Sequence, residues 1–265
     1  MSDSESTDGE LCVWTDICTE AEKQVAVEPM LASFLHATVL NHECIEDAIS
    51  FHLSGKLGAG SLSPMQLREV MDQAMASDAG IAQAACADIR AVRERDPAVS
   101  CCLVPLLFLK GVHALIAYRV SHWLWNQDRH LLALHLQNRI SETFCVDIHP
   151  AAKIGSGILM DHATSIVIGE TAVVEDNVSL LHEVTLGGTG KVTGDRHPKV
   201  RKGVLIGAGS KILGRVEIGE GAKVGAGSVV LDDVPPHCTV AGVPAVAVGT
   251  PCTESPALDM DQKIA

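Results

Sequence analysis

The spacing of apolar residues changes once along the chain, near residue 145. In residues 17–145 apolar side chains recur at the three- and four-residue spacing of amphipathic helices, as in EPMLASFLHATVLNHECIEDAISFHL and LVPLLFLKGVHALIAYRVSHWLWNQ. Breaks between helices are predicted at residues 55–64, which are rich in Gly and Ser, and at 95–100, which contain a proline. The pattern predicts an all-helical N-terminal domain over residues 1–145.

After residue 145 a repeat of six residues replaces the helical spacing. Each hexad begins with a large apolar residue, and the fifth position of most hexads is small or apolar. The hexads begin at Ile148, Ile154, Met160, Ile168, Val174, Leu180, Leu186, Ile206, Ile212, Ile218, Val224 and Val230. Three hexads can close one triangular coil whose strands bond to the coils above and below, whereas the strands of a β-sandwich recur at about 8 to 12 residues. The sequence therefore predicts a parallel β-helix over residues 146–250 and a tail over 251–265.

The repeat loses register twice. Two extra residues separate the hexads at Met160 and Ile168, within the segment LMDHATSIVIGE. The interval from Leu186 to Ile206 is 20 residues, so part of GGTGKVTGDRHPKVRKG cannot lie on a coil, and a loop at about 188–203 is predicted to be extruded. This loop contains His197 and four basic residues, a cluster that could attract an anionic ligand: Arg196, Lys199, Arg201 and Lys202.

Composition narrows the class of protein. With 47% hydrophobic residues the chain can bury a core, and 20 basic against 33 acidic residues give a net charge of −13, which argues against nucleic acid or an anionic membrane as the main partner. Nine cysteines without a CxxC pair predict reduced thiols. The N-terminus lacks a signal-peptide pattern, and no apolar run reaches about 18 residues. We therefore expect a cytoplasmic protein.

The first interruption contains the strongest candidate for chemistry, Asp161 beside His162. An aspartate can hold one imidazole nitrogen and leave the other free to accept a proton, which suits a general base acting on an alcohol. Asp147 precedes His162 by 15 residues, close to one coil, so these two could lie on neighbouring coils. A serine-hydrolase scheme lacks its GxSxG motif, and a zinc site made of His149, His162 and His182 lacks a closely spaced ligand pair, so no metal is expected.

Several segments together resemble the serine acetyltransferases. These are DIHPAAKIGSGILMDHATSIVIGETAVV, VTLGGTGKVTGDRHPKVRKGVLIGAGSKILG and AGSVVLDDVPPHCTVAGVPA, with EPMLASFLHAT, RDPAV and PLLFLKGVHALIAYRVSHWLWNQ upstream, so the resemblance covers roughly residues 12–250. It implies a left-handed β-helix that forms trimers, and a hexamer of two trimers joined through the helices. It also implies direct transfer of an acetyl group from acetyl-CoA to the hydroxyl of L-serine, the first step of cysteine biosynthesis, with inhibition by L-cysteine.

The resemblance assigns roles to individual residues. His162 of DHAT is the implied base, and Asp147 of DIHP is its partner. The residues implied to hold L-serine are Asp96, Asp161, Arg196 and His197. In hexapeptide acyltransferases small residues let the pantetheine arm of acetyl-CoA approach the coils, and the candidates here are Gly188, Ala208 and Ala226, with Lys223 for the 3′-phosphate.

One part of the family pattern is missing, and two other functions stay open on the residues alone. The tail of the family commonly ends in an isoleucine that docks in O-acetylserine sulfhydrylase, whereas this sequence ends in Ile264 and Ala265, so that complex is in doubt.

An O-acetyltransferase acting on a sugar would share the β-helix and the base but would not require Asp96 or the GDRHP loop. A non-catalytic scaffold would not depend on His162.

Overall fold

The computed structural model describes residues 3–190, 193–249 and 254–264, with side chains from residue 12 onward. Helices occupy the chain up to Phe144, and strands begin at Val146. The helices are α1 (Asp3–Val27), α2 (Ala32–Leu35), α3 (Ile45–Leu57), α4 (Pro64–Ser77), α5 (Gly80–Arg95), α6 (Leu103–Phe108), α7 (Lys110–Asn126), α8 (His130–Phe144) and, in the tail, α9 (Pro256–Asp259). Short 3₁₀ and π turns at Pro29–Leu31 and His36–Leu40 flank α2.

Helix ends follow local chemistry more closely than apolar spacing. α1 begins at Asp3, well before residue 17, because acidic residues favour the first turns of a helix even where no apolar face exists. α4 begins with a capping box, in which Ser63 and Gln66 bond each other's backbone and Pro64 occupies the first helical position. The predicted helical domain is confirmed.

The strands form three sheets, each of which is one face of a triangular prism. The first sheet contains β1 (Val146–Ile148), β4 (Ile166–Ile168), β7 (Thr185–Gly187), β10 (Lys211–Leu213) and β13 (Val229–Val230). The second contains β2 (Lys153–Ile154), β5 (Val173–Val174), β8 (Lys199–Val200) and β11 (Glu217–Ile218). The third contains β3 (Leu159–Met160), β6 (Ser179–Leu180), β9 (Leu205–Ile206), β12 (Lys223–Val224), β14 (Thr239–Gly242) and β15 (Ala245–Gly249). All pairs are parallel except β14 with β15.

The hexad register is confirmed by the strand pairing. In the first sheet the residues that begin hexads lie directly over one another, in the order Ile148, Ile168, Leu186, Ile212 and Val230. The fifth positions of the hexads are also buried, at Ala152, Ala172, Val178, Val184, Ser210, Val216, Ala222 and Ser228. Large inward residues stacked coil upon coil therefore form one continuous core.

Both interruptions of the repeat are turned outward at corners. We call the turns that lead from the third sheet to the first the first corner (residues 161–165, 181–184, 207–210 and 225–228). Those that lead from the first sheet to the second are the second corner (149–152, 169–172, 188–190 with 193–198, and 214–216). The two extra residues lie in the first corner and the basic loop in the second.

The predicted end of that loop, residue 203, is wrong. The coil resumes at Lys199, because Lys199 and Val200 pair with strands on both sides and Val200 is fully buried in an inward position.

A buried ion pair joins the helical domain to the β-helix. Asp88 on α5 has no exposed surface, and its carboxylate accepts hydrogen bonds from Nη2 of Arg119 on α7 (2.6 Å) and from the backbone N–H of Ile158 (2.8 Å). The same Nη2 donates to the carbonyl of Gly155 at 2.8 Å. Burial raises the pKa of Asp88, and the bonds from Arg119 oppose this shift. The helices are thus held against the first coil by polar contacts that have no access to water.

The tail returns along the outside of the third sheet. The N–H of Ala257 donates to the carbonyl of Gly203, and Oγ of Ser179 donates to the carbonyl of Ala257 (2.8 Å). Among the described residues no helix is long and apolar enough to cross a membrane, and the eight described cysteines are free thiols.

Replacement of Asp88 by alanine tests the buried pair. Asp88→Ala should lower the free energy of unfolding by about 3 to 5 kcal/mol, because it leaves the Arg119 guanidinium buried without a counter-charge. Asp16→Ala, which removes an exposed ion pair with Arg93, should cost no more than about 1 kcal/mol. Urea denaturation of both variants measures the difference, and equal losses would show that the buried pair is not what holds the domains together.

Candidate active site

The turn that carries His162 is a strained segment braced by helix α7. His162, Ala163 and Ser165 all have positive φ angles, between 55° and 61°, a backbone region that non-glycine residues seldom adopt. Gly111 lies so close to the turn that an added Cβ would be 2.3 Å from the carbonyl oxygen of Met160. The ammonium of Lys110 donates to the hydroxyl of Thr164. The surrounding contacts therefore hold this turn in its unfavourable conformation, with the His162 side chain 75% exposed.

Three of the predicted site residues line one cavity of about 480 Å³ between the helices and the first corner. Asp96 is placed there by the end of α5, and its carboxylate is fixed by the N–H of Ala98 at 2.9 Å. Asp161 and His162 come from the strained turn, with 3.8 Å between Oδ1 of Asp161 and Nε2 of His162. The cavity thus combines two carboxylates with an accessible imidazole.

His182 lies one coil further along the first corner and was not predicted as a functional residue except as a zinc ligand. Its ring stands edge-on to that of His162, with 5.8 Å between centroids. Nδ1 of His182 is buried and has no hydrogen-bond partner among the described residues. Since a buried, unpaired N–H is costly, the proton is favoured on Nε2. His182 therefore carries its N–H at Nε2, in a ring that lies beside His162.

Two of the residues predicted to line the acetyl-CoA path follow on the same corner. The N–H of Gly209 bonds to the carbonyl of His182, and the N–H of Gly227 bonds to the carbonyl of Ala208. Ala208 and Ala226 therefore occupy the coils that follow His162 and His182, and Ala226 is exposed. A run of small residues along an edge leaves room for a narrow ligand chain against the backbone.

Arg196 and His197 lie at the second corner, away from this cavity. Nη2 of Arg196 donates to Oε2 of Glu170 at 2.6 Å, and this hydrogen bond lowers the pKa of Glu170. The His197 ring lies flat on Gly169, where an added Cβ would be 2.1 Å from Cδ2 and Nε2. Burial, reinforced by the charge of Arg196, lowers the pKa of His197. The corner thus presents a guanidinium beside a buried imidazole.

Asp147 lies on β1, which leads into the second corner, and it does not contact His162 within the chain. Its carboxylate accepts a hydrogen bond from Nε2 of Gln137 at 2.6 Å. The charges of Glu170 and Asp147 act together on His149, whose pKa is nevertheless lowered by burial. The pairing of Asp147 with His162 is therefore not formed inside one chain.

Of the other two residues predicted to contact acetyl-CoA, one lies at the second corner and one is covered by the tail. Gly188 lies at the second corner, where an added Cβ would be 3.5 Å from Nε2 of His197, and not along the edge of His162. Lys223 is only 5% exposed, and its ammonium donates to the carbonyls of Asp261 (3.2 Å) and Lys263 (2.6 Å) in the tail. The position of Lys223 contradicts a contact with the 3′-phosphate, because its charge is covered.

No group of three metal-ligating side chains occurs within the part of the chain that the structure describes. His149 lies 5.1 Å from Trp125, ring to ring, at the second corner, so it does not join His162 and His182. Ala265, on which the sulfhydrylase prediction depends, lies outside the described residues, as do residues 191–192 of the basic loop.

Glu170 and Thr171 are the functional candidates at the second corner that sequence reasoning missed. Both lie in the turn after β4, and the basic loop leaves the coil after β7, the next strand of the same sheet. Aligning the hexads coil by coil would therefore have placed them beside Arg196 and His197.

Comparison with known proteins gives two family matches. The family described as "Serine acetyltransferase, N-terminal" matches residues 13–117, and the bacterial transferase hexapeptide family matches residues 197–232. The serine acetyltransferase of Escherichia coli K12 is 60% identical over 250 residues, which cover 94% of this chain and 92% of that protein.

Solved structures with bound ligands are similar over almost the whole chain. A serine acetyltransferase in complex with cysteine has a TM-score of 0.94 at 55% identity and covers 96% of this chain and 99% of its own. The soybean enzyme complexed with serine has a TM-score of 0.89 at 56% identity, with coverages of 91% and 99%. The Brucella abortus enzyme in complex with coenzyme A has a TM-score of 0.89 at 51% identity, with coverages of 91% and 97%.

The close approach at Gly111 can be tested by adding one methyl group. Gly111→Ala should lower the free energy of unfolding by about 1 to 3 kcal/mol, because the methyl group overlaps the backbone of the strained turn. Gly55→Ala, in a helical position with no atom within 4 Å, should be neutral or stabilising by up to about 1 kcal/mol. Parallel denaturation curves decide the matter, and a neutral Gly111→Ala would mean that α7 does not brace the turn.

Proposed function

The chain belongs to the serine acetyltransferase family, and we propose that its two corners, each from a different copy, combine into one active site. The chain is a serine O-acetyltransferase, an acyltransferase of cysteine biosynthesis. One observation carries the proposal: Asp96, Asp161 and His162 share a cavity at the first corner, while Arg196 and His197 lie at the second corner and Asp147 lies on β1, bonded to Gln137 and not to His162.

A threefold assembly explains why the residues are divided. The first sheet lies between the two corners of one prism, and its strands are at most three residues long. Rotation of identical prisms about a threefold axis sets the first corner of each copy against the second corner of the next. The exposed His162 would then meet the Asp147 carboxylate of the neighbouring copy, and the groove between them would be lined by Ala208 and Ala226.

His162 acts as the general base in this site. Its imidazole removes the proton from the serine hydroxyl as the oxygen attacks the thioester carbonyl, and the neighbouring Asp147 stabilises the imidazolium that forms. His182 donates Nε2–H to the carbonyl oxygen as negative charge develops. The tetrahedral adduct then collapses with cleavage of the C–S bond, and CoA leaves as the thiol after taking the proton from the His162 imidazolium. The Nε2–H of His182, beside His162, and the small residues Ala208 and Ala226 on the following coils fit a thioester placed along this edge.

The charged side chains suit a small amino acid. Arg196, aligned by its bond to Glu170, holds the serine carboxylate together with His197, while Asp96 and Asp161 hold the ammonium. L-Cysteine differs from L-serine only in carrying a thiol in place of the hydroxyl, so it occupies the same groups and inhibits by competing for them. The complex of a similar enzyme with cysteine supports this assignment.

A second interface lies on the helical domain, and we propose that it joins two trimers into a hexamer. Large apolar side chains are exposed there, among them Met30 (91%), Val27 (74%) and Met65 (73%). The rings of Phe34 and Phe108 stack at 6.2 Å beside a cavity lined by Phe51 and Met65. Burying such surface against a second copy is favourable.

The free thiols support a cytoplasmic location. Eight described cysteines are unpaired, which is typical of a reducing compartment. We assign the protein to the cytoplasm on this ground.

Removal of the base tests the mechanism. His162→Ala should lower kcat by at least about 10²-fold, the low end for general base catalysis, while His36→Ala, an exposed histidine on the helical domain, should leave it unchanged. Release of thiol from acetyl-CoA in the presence of L-serine measures both variants. A loss below tenfold for His162→Ala would remove His162 from the role.

Mixed oligomers test whether two copies build the site. His162→Ala and Arg196→Ala proteins should each be inactive, yet oligomers assembled from an equal mixture should regain activity at about a quarter of the sites, where an intact first corner meets an intact second corner. The thiol-release assay applied before and after co-refolding measures the gain. No gain in verified mixed trimers would place the whole site in one chain.

A further inference from the structure

The hydroxyl of Thr171 makes three hydrogen bonds and has no capacity left. Its oxygen accepts from the backbone N–H groups of Arg196 (3.0 Å) and His197 (3.1 Å), which uses both lone pairs. The third contact is with Nδ1 of His197 at 2.8 Å. Because only the hydroxyl proton remains, Thr171 must donate to Nδ1.

A second donor reaches the same nitrogen. The backbone N–H of Thr171 points at Nδ1 of His197 at 3.1 Å. A proton on Nδ1 would face two donors at hydrogen-bond distance, so Nδ1 keeps its lone pair and the ring proton resides on Nε2.

Nε2 is directed away from these bonds. The ring is 6% exposed and lies on Gly169, and Nε2 has no acceptor among the described residues. In addition to burial, the charges of Arg196, Lys199 and His149 lower the pKa of His197, and the charge of Glu170 raises it. Lys199 is itself paired with Asp195. The net effect of burial and these charges lowers the pKa of His197.

We propose that Thr171 is a positioning residue that fixes His197 as the neutral Nε2–H tautomer, so that a neutral donor, not an imidazolium, meets an oxygen of the substrate. Arg196 then supplies the positive charge that attracts the carboxylate, and His197 donates a hydrogen bond that orients it. That the oxygen belongs to the carboxylate of L-serine rests on the proposed function, whereas the tautomer follows from the contacts of Thr171 alone.

The tautomer can be read in the full-length wild-type protein without substrate. ¹⁵N NMR of protein labelled in histidine, with the His197 signals assigned by their loss in His197→Gln, should show Nδ1 unprotonated and Nε2 protonated at pH 7.5, with any titration of His197 below the ordinary pKa of about 6.5. A proton on Nδ1, or an imidazolium at pH 7.5, would overturn the proposal. This result does not depend on what His197 binds.

Two variants of Thr171 separate the hydroxyl from the shape of the side chain. Thr171→Val keeps the shape and removes the hydroxyl, so it should raise the KM for L-serine about fivefold, the effect of one hydrogen bond, with kcat changed less than about twofold. It should also move the titration of His197 up toward the ordinary value of about 6.5. Thr171→Ser keeps the hydroxyl and should restore both properties.

Equal defects in Thr171→Val and Thr171→Ser, or no defect in Thr171→Val, would contradict the role of the hydroxyl. Should Thr171→Val fail to fold, the wild-type spectrum still decides the tautomer. If His197→Ala leaves the KM for L-serine unchanged while the spectrum shows the expected tautomer, the serine-binding role of His197 fails and the positioning role of Thr171 stands.

Discussion

The stacking of inward side chains is the constraint on which this structure depends. Every coil must place its large residues over those of the coil before, because the parallel strands bond to both neighbours and share one core. Extra residues therefore cannot be absorbed within a coil and are turned outward at a corner. The two insertions, of two residues before Ile168 and of a loop before Lys199, carry His162 on one corner and Arg196 with His197 on another. His162, Arg196 and His197 therefore lie on segments that the register of the repeat leaves free.

Segments released from the coil need support from elsewhere. At the first corner the support comes from the helical domain, since Gly111 and Lys110 press on the strained turn and the buried pair of Asp88 and Arg119 holds the helices against the first coil. At the second corner the coil above supplies it, through Glu170 and Thr171. The helical domain thus supports the turn that carries His162.

The sequence predicts those parts of the molecule that repeat or lie close together along the chain. The hexads identify the β-helix because burial imposes the same residue type every six positions. Three features have no such signal. Asp147 bonds Gln137 on α8 and not His162, Lys223 is covered because a distant tail returns over it, and the ring of His182 stands edge-on to that of His162 one coil away. Each depends on contacts between residues that the repeat does not bring together in the sequence.

The most direct test of the account is the acceptor dependence of thiol release from acetyl-CoA, measured with L-serine, with a galactoside and with neither. The charges of the two corners, a guanidinium at one and two carboxylates at the other, match an amino acid that carries both an ammonium and a carboxylate. The account predicts release that requires L-serine and is suppressed when L-cysteine is added. Release that depends on the sugar and not on L-serine would contradict it.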